Sequence, residues 1–464
     1  MSGTGVKGRN QHCRRKAASC SRSIVQVKVA VSRVVHPTKP RRDRRPRLSG
    51  RGDLCRGSHL RATRQTSIIG PSSEASMKRG YSCVLVLVAL IFASTSFAAE
   101  RAVDLTASDG TKLKATFFPV AKPGPGVLLL HQCNRQRKVW DGLAQQLASA
   151  GINVLTLDYR GYGESGGDRF DKLPPQEAAR VQNEKWPGDI DVAFAYLESQ
   201  AGVKRDIIGV GGASCGVQNS VQTARRHPEV KSLVLLSGSS NMDGRNFLRD
   251  SANLPVFLAA ADDDQLSMQT IEWLYTIDAN PGKKLVHYAK GGHGADMFPV
   301  HPELLGLIVD WYVTTLVKTP GHAPADPNPP TVPADVQILN AIDQPGGPAK
   351  VTSQLEEARR RDPNATLFPE GLVNVMGYEH LQSGDAKTAI DILKLNAAAY
   401  PNSPNVYDSL SDAYLADGQK DLARQNAQKA LDLLPSDTKD PEQLRNNIKQ
   451  SAEQKLKQLG EAKN

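Results

Sequence analysis

From Glu100 to Val317 the chain alternates short, unbroken apolar runs with longer amphipathic ones, and this alternation restricts its fold more than any other feature. GVLLLH, INVLTLDYRG, DIIGVGGAS, VKSLVLLSG, PVFLAAADD and KKLVHYAKGG read as strands. Between them, VWDGLAQQLASAG, DIDVAFAYLESQ, GVQNSVQTARRH and SMQTIEWLYTI space their apolar residues as helices do, and PELLGLIVDWYVTTL closes the series. Strands that are apolar on both faces and separated by helices require a parallel sheet covered on both sides. Ahead of them, LTASDGTKLKATFF reads as two strands around an Asp109-Gly110 turn. The fold class is therefore α/β over residues 99–318, a mostly parallel sheet with helices on both faces. Such sheets bind ligands at the carboxyl ends of their strands.

Residues 319–335, TPGHAPADPNPPTVPAD, are proline-rich and read as a linker. Residues 336–464 turn Ala-, Leu-, Gln- and Lys-rich, and predict an all-α domain. Gly384 and Gly418, Ala389 and Ala423, and Pro401 and Pro435 each recur after 34 residues. With Tyr407, Leu410, Tyr414, Ala427 and Ala430, this spacing resembles the tetratricopeptide repeat. The resemblance implies stacked helix pairs and a groove that holds a segment of a protein partner.

The front of the chain differs. Residues 1–76 carry 18 Lys+Arg against 3 Asp+Glu, whereas the chain after residue 79 carries 38 against 45. Segments such as RRDRRPRLSGRGDLCRG lack an apolar period and repel themselves, which predicts a disordered basic extension. It is either a nucleic-acid-binding arm or translated upstream sequence outside the native protein. The next segment favours the second, and no nucleic-acid partner is expected. MKRGYSCVLVLVALIFASTSFAAE opens with Lys78 and Arg79, continues with an apolar run of 11 residues, Cys83 to Ala93, and ends in small residues. That is the plan of a cleaved signal peptide over 77–98, with an apolar run too short for a stable membrane span. The expected location is periplasmic or extracellular. Of six cysteines, only Cys133 and Cys215 lie beyond these segments. No Cys/His spacing suggests a metal site, and no cofactor is expected.

Gly212-Ala213-Ser214-Cys215-Gly216 sits between a strand and a helix, the setting of a G-x-S-x-G nucleophile elbow. Moving the frame to make Cys215 the nucleophile would place Val217 where the tight turn needs glycine. Later strand ends supply Asp262, Asp263 and Asp264, and then His293 among glycines, which completes the chain order serine, acid, histidine. Together with GVLLLHQCNRQRKVWDGLAQQLASAGINVLTLDYRGYGESGG, these motifs resemble the α/β-hydrolases over residues 101–317, and in particular their dienelactone-hydrolase-like and serine-esterase branches.

The resemblance implies that Ser214 attacks a carbonyl carbon, that His293 relays the proton, and that Asp264, with Asp263 as the alternative, orients His293. It implies an oxyanion hole from the amides of Cys215 and Cys133, with Gln132 the alternative to the latter. His131 is expected to be structural. Gln132, Arg160 and Trp186 are expected to contact substrate; a glycine-rich turn and simple packing are the competing roles for Arg160 and Trp186. Arg135, Arg137 and Lys138 either favour an anionic substrate or form a solvated face. The two remaining cysteines fall on the two oxyanion loops, so they form either a disulfide or a pair of buried thiols. The implied activity is that of an exported serine hydrolase cleaving a small ester, lactone or thioester through an acyl-enzyme. A peptidase of the same fold and a non-catalytic binding scaffold are the alternatives.

Overall fold

The computed structural model describes residues 99–461; the basic extension at 1–76 and the signal segment at 77–98 lie outside the described residues. Eight strands, β1 (Arg101–Thr106), β2 (Lys112–Phe118), β3 (Gly124–Leu130), β4 (Asn153–Asp158), β5 (Val203–Ala213), β6 (Val230–Leu236), β7 (Val256–Ala261) and β8 (Lys284–Tyr288), form one sheet in the order β1-β2-β4-β3-β5-β6-β7-β8. β1 and β2 make the antiparallel hairpin about Asp109-Gly110, and β2 joins β4 antiparallel. All the pairings from β4 through β8 are parallel. Every residue of β3, β4 and β7 is buried, as unbroken apolar runs demand, while the edge strand β1 alternates exposed with buried.

The helices of this part are α1 (Asp141–Ser149), α2 (Pro175–Arg180), α3 (Trp186–Ser199), α4 (Cys215–Arg226), α5 (Met242–Asp250), α6 (Gln265–Ile277) and α7 (Glu303–Tyr312). Leu143 and Leu147 of α1 share one apolar layer with Ile308 and Tyr312 of α7. Phe194 of α3, Val221 of α4, Leu248 of α5 and Ile271 of α6 belong to the layer on the opposite face. Neither α2 nor α5 is foreshadowed by an apolar period. α5 nevertheless has a local start signal, because the Asn241 side chain accepts a hydrogen bond from Gly244 N at 3.0 Å.

The C-terminal region contains α8 (Ala334–Ile342), α9 (Gly347–Arg361), α10 (Glu370–Gln382), α11 (Ala386–Ala399), α12 (Pro404–Ala416), α13 (Lys420–Leu433) and α14 (Glu442–Glu461). α8 starts inside the stretch expected as linker, since Val332 and Val336 are buried and Pro333 leads directly into the first turn. α10 and α12 start at 370 and 404, and α11 and α13 at 386 and 420, so both helices of the pair recur at the spacing of the sequence period. Ala389 and Ala423 occupy matching buried positions.

The helical region and the sheet region lie in one unit and share a continuous core: Ile271 of α6 belongs to the same apolar cluster as Leu339 of α8 and Met376 of α10. Trp273 Nε1 donates to Asn340 Oδ1 at 3.0 Å, and Asn340 Nδ2 donates to Thr276 Oγ1 at 2.8 Å. Arg245 of α5, only 1% exposed, donates through Nη2 to Glu379 Oε2 at 2.7 Å and lies 3.5 Å from Asp343. Its guanidinium also lies over the Trp273 ring, 4.2 Å from the centroid.

Candidate active site

β5 ends at Ala213 and α4 begins at Cys215, leaving Ser214 alone in the turn at φ 56° and ψ −120°. The neighbouring glycines are dictated by space. A Cβ on Gly212 would stand 2.1 Å from Gly216 O, and one on Gly216 would stand 2.4 Å from Leu130 O. The turn is fixed from the sheet side by Ser214 N donating to Leu236 O at 2.8 Å. Its side chain is half-buried at the carboxyl end of the central strand.

The three consecutive aspartates after β7 have separate partners. Asp262 Oδ1 is 2.6 Å from His287 Nε2. Asp263 accepts from Gly291 N at 3.1 Å and Gly292 N at 3.0 Å, which holds the loop carrying His293. Asp264 Oδ2 is 2.5 Å from His293 Nδ1, and Ser267 Oγ, in the first turn of α6, is 3.3 Å from the same nitrogen. Burial pushes the Asp264 carboxyl up, but its hydrogen bonds with His293 and Ser267 outweigh that and hold it below the usual carboxylate range. An ionised Asp264 keeps the proton on Nδ1 and leaves Nε2 as the basic nitrogen. Gly294, next to His293, lies against Ala213, next to Ser214: a Cβ built on Gly294 would be 3.1 Å from that of Ala213. The serine turn and the histidine loop thus meet at one rim.

The third side of the rim is the loop after β3. Cys133 is bonded to Cys215 by a disulfide with a Cα–Cα distance of 5.9 Å, which joins this loop to the first residue of α4. Of the two pairings left open by sequence, the bridge is the one present. Tyr162 Oη donates to Cys133 O at 2.6 Å and steadies the same loop. Among the described residues, neither Cys133 N nor Cys215 N donates to a protein acceptor. His131 is buried and neutral, its pKa held down to about 4 by burial. Its Nδ1 is 2.8 Å from Gln132 O and its Nε2 accepts from Tyr159 N at 3.2 Å, so it is a strut of the loop, as expected.

The three residues expected to contact substrate require correction. Gln132 is fully buried and acts as a brace: Nε2 donates to His293 O at 3.1 Å and Oε1 accepts from Ala295 N at 2.8 Å. Arg160 is buried between two carboxylates, with Nε and Nη2 each 2.6 Å from Asp189 and Nη1 2.7 Å from Asp109. Trp186 is fully buried, stacked on Tyr159 at 4.5 Å, and belongs to the core. The cations near the oxyanion loop are paired too: Arg135 with Asp296, Arg137 with Asp158 and Glu164, and Lys138 with Glu164 at 4.0 Å. The roles of Gln132, Asp263 and Ser267 have no local sequence signature, because each acts on a loop remote in the chain. Among the described residues there is no group of His, Cys, Asp and Glu suited to a metal ion, and no helix is long and apolar enough to cross a membrane.

A family model described as the alpha/beta hydrolase fold matches residues 125–254. The thiohydrolase aneE of Aspergillus aculeatus is 30% identical over 125 residues, 26% of this chain and 36% of that protein. An uncharacterized protein of Mycobacterium tuberculosis is 31% identical over 147 residues, 31% of this chain and 48% of the other. The chain thus spans between about a third and a half of the length of these curated relatives. Among solved structures, an esterase of Pyrococcus furiosus aligns with 48% of this chain and 92% of its own, at 19% identity and a TM-score of 0.39. A dienelactone hydrolase of Anabaena variabilis aligns with 47% of this chain and 98% of its own, at 19% identity and a TM-score of 0.38. The protein has the α/β-hydrolase fold, with a C-terminal region of helices added.

Proposed function

We propose that the protein is an exported serine hydrolase that cleaves an ester, lactone or thioester through an acyl-enzyme on Ser214. The observation that carries this reading is the Asp264–His293 pair, 2.5 Å apart, on a loop seated against the turn that bears Ser214. Nε2 of His293 takes the serine proton as Oγ bonds to the carbonyl carbon, then gives it to the leaving group; water repeats the cycle to release the acid. In this reading the amides of Cys215 and Cys133 stabilise the negative oxygen as it develops. Cys215 is not the nucleophile in this reading, because its sulfur is already bonded to Cys133. The same disulfide supports folding in an oxidising compartment, periplasmic or extracellular. The thiohydrolase among the relatives makes thioesters one arm of the substrate test.

The deciding experiment treats the secreted protein with a fluorophosphonate and maps the adduct by mass spectrometry, beside a panel of esters, lactones, thioesters and peptides. Labelling of Ser214 is expected, and Ser214→Ala should lower kcat by about 10⁴-fold or more. An unlabelled serine, or undiminished turnover by Ser214→Ala, defeats the proposal. Turnover of peptides alone would replace it by the peptidase reading.

A further inference from the structure

Between the first turn of α6 and the helical region lies an open cleft of about 460 Å³. Its sheet-domain wall is Gln265, Leu266 and Gln269. Gln265 directly follows Asp264, and Ser267 of the same turn reaches His293, so the wall starts one residue from the acid of the candidate triad. The opposite wall comes from the start of α8, with Asp335, and from the segment before α10, with Thr366 and Phe368. That segment is tied down by Tyr400, itself a lining residue, whose Oη donates to Phe368 O. α6 begins where β7 ends, so the cleft opens at the same end of the sheet as Ser214.

We infer that this cleft holds the part of the substrate remote from the scissile bond, and that this part is an uncharged or cationic group on an apolar stem. The inference rests on the hydrolase reading above. The volume suits a small organic group, within the usual range for ligand sites. Leu266, 54% exposed, and the half-buried Tyr400 offer apolar surface for a stem, while Phe368 is buried beneath them. Gln265, Gln269 and Thr366 offer hydrogen bonds, and Asp335 provides the charge among the lining residues, none of which is cationic. Glu272 lies close enough to Asp335 for like-charge repulsion. A carboxylate tail would meet repulsion here, and a trimethylammonium group would meet attraction from Asp335. The helical region is thereby part of the substrate site, with no separate partner required for that role.

The test uses the full chain and two sets of phenyl esters, one varied on the acyl side and one on the alcohol side. Each set contains a short ester, an ester with a hexyl tail ending in trimethylammonium, and its match ending in carboxylate. In one of the sets, kcat/KM for the cationic tail should exceed that for the carboxylate by about tenfold, and Asp335→Asn should bring the ratio within about twofold of unity. Thr366→Trp, which fills the cleft, should raise KM for the cationic tail about tenfold relative to the short ester. Glu357→Gln, on the exposed face of α9, should leave the ratio as in the parent. If neither cleft variant moves the ratios while the short ester is turned over, the cleft assignment falls and the hydrolase reading stands. If no ester is turned over and the fluorophosphonate leaves Ser214 unlabelled, the hydrolase reading fails on its own. The cleft is then tested by calorimetric titration of hexyltrimethylammonium: binding that Asp335→Asn abolishes supports the assignment, and no binding to the parent chain overturns it.

Discussion

Ser214 holds a backbone conformation that a residue with a Cβ keeps only under constraint, at φ 56° and ψ −120°. Ser214→Gly removes that Cβ and should raise the thermal midpoint, by about 1 kcal/mol of stability, while abolishing turnover. Ser214→Ala should abolish turnover without the gain in stability, and calorimetry on the two variants separates strain from catalysis. The aspartates make a second comparison. Asp264→Asn should lower kcat by about 10⁴-fold by removing the charge that sets the tautomer of His293. Asp263→Asn, which loosens only the loop amides it binds, should cost less, and steady-state kinetics on both ranks them. Asp278 governs a pH effect on stability. Burial pushes its carboxyl up to about 7, and among the described residues its Oδ2 has no hydrogen-bond partner. The folded chain keeps a proton there that the unfolded chain releases from its ordinary value of 3.8 upward. Stability from this group is therefore present at acid pH and lost as pH rises from about 4 to about 7. Asp278→Asn should flatten that part of the profile and melt at a higher temperature than the parent at pH 8.

At the scale of elements, the contact between α5 and the helical region depends on a single buried cation. Arg245→Met would take from Glu379 the buried cation that pairs it and leave Asp343 to Arg249 and His380, at a cost of about 3 kcal/mol. The expected signs are a lower thermal midpoint and faster proteolysis in the proline-rich stretch before α8, read by mass spectrometry of the fragments. Converting all three residues to apolar ones of similar volume should recover much of the loss. None of this was legible in the sequence, because Arg245 lies 98 residues from Asp343 and 134 from Glu379. α5 itself was missed for a related reason: MDGRNFLRD contains few apolar residues, and it is a helix because of its cap and its polar partners. By contrast, β3 to β8 and the helices α1, α3, α4, α6 and α7 were readable, the strands from their apolar runs and the helices from their apolar period. The serine turn was readable because all its constraints are local. Asp264, the aspartate beside His293, was readable only through the family resemblance, because a shift of one residue in the loop decides which of the three reaches the imidazole. Arg160 and Trp186 stayed open between substrate contact and structural roles because an arginine beside glycines and a lone tryptophan look the same in sequence whether they face a cavity or the core.

Across the whole molecule, the disulfide has an effect out of proportion to its size. It ties the loop after β3 to the start of α4, and the two amides proposed to stabilise the oxyanion belong to the bonded residues themselves. Reduction with dithiothreitol should lower kcat and the thermal midpoint together, and a variant with both Cys133 and Cys215 changed to serine should start low and not respond to the reductant. Chain entropy alone predicts a stability difference of about 4 kcal/mol for a ring of this size. The stretch between the two cysteines, a separation of 82, contains α1, β4, α2, α3 and all of β5, so two of the eight strands mature inside a covalent circle. A host that makes this polypeptide where thiols stay reduced would obtain the same sequence with a slack hinge beside Ser214. Assay results would then depend on where the protein was folded as much as on what was encoded.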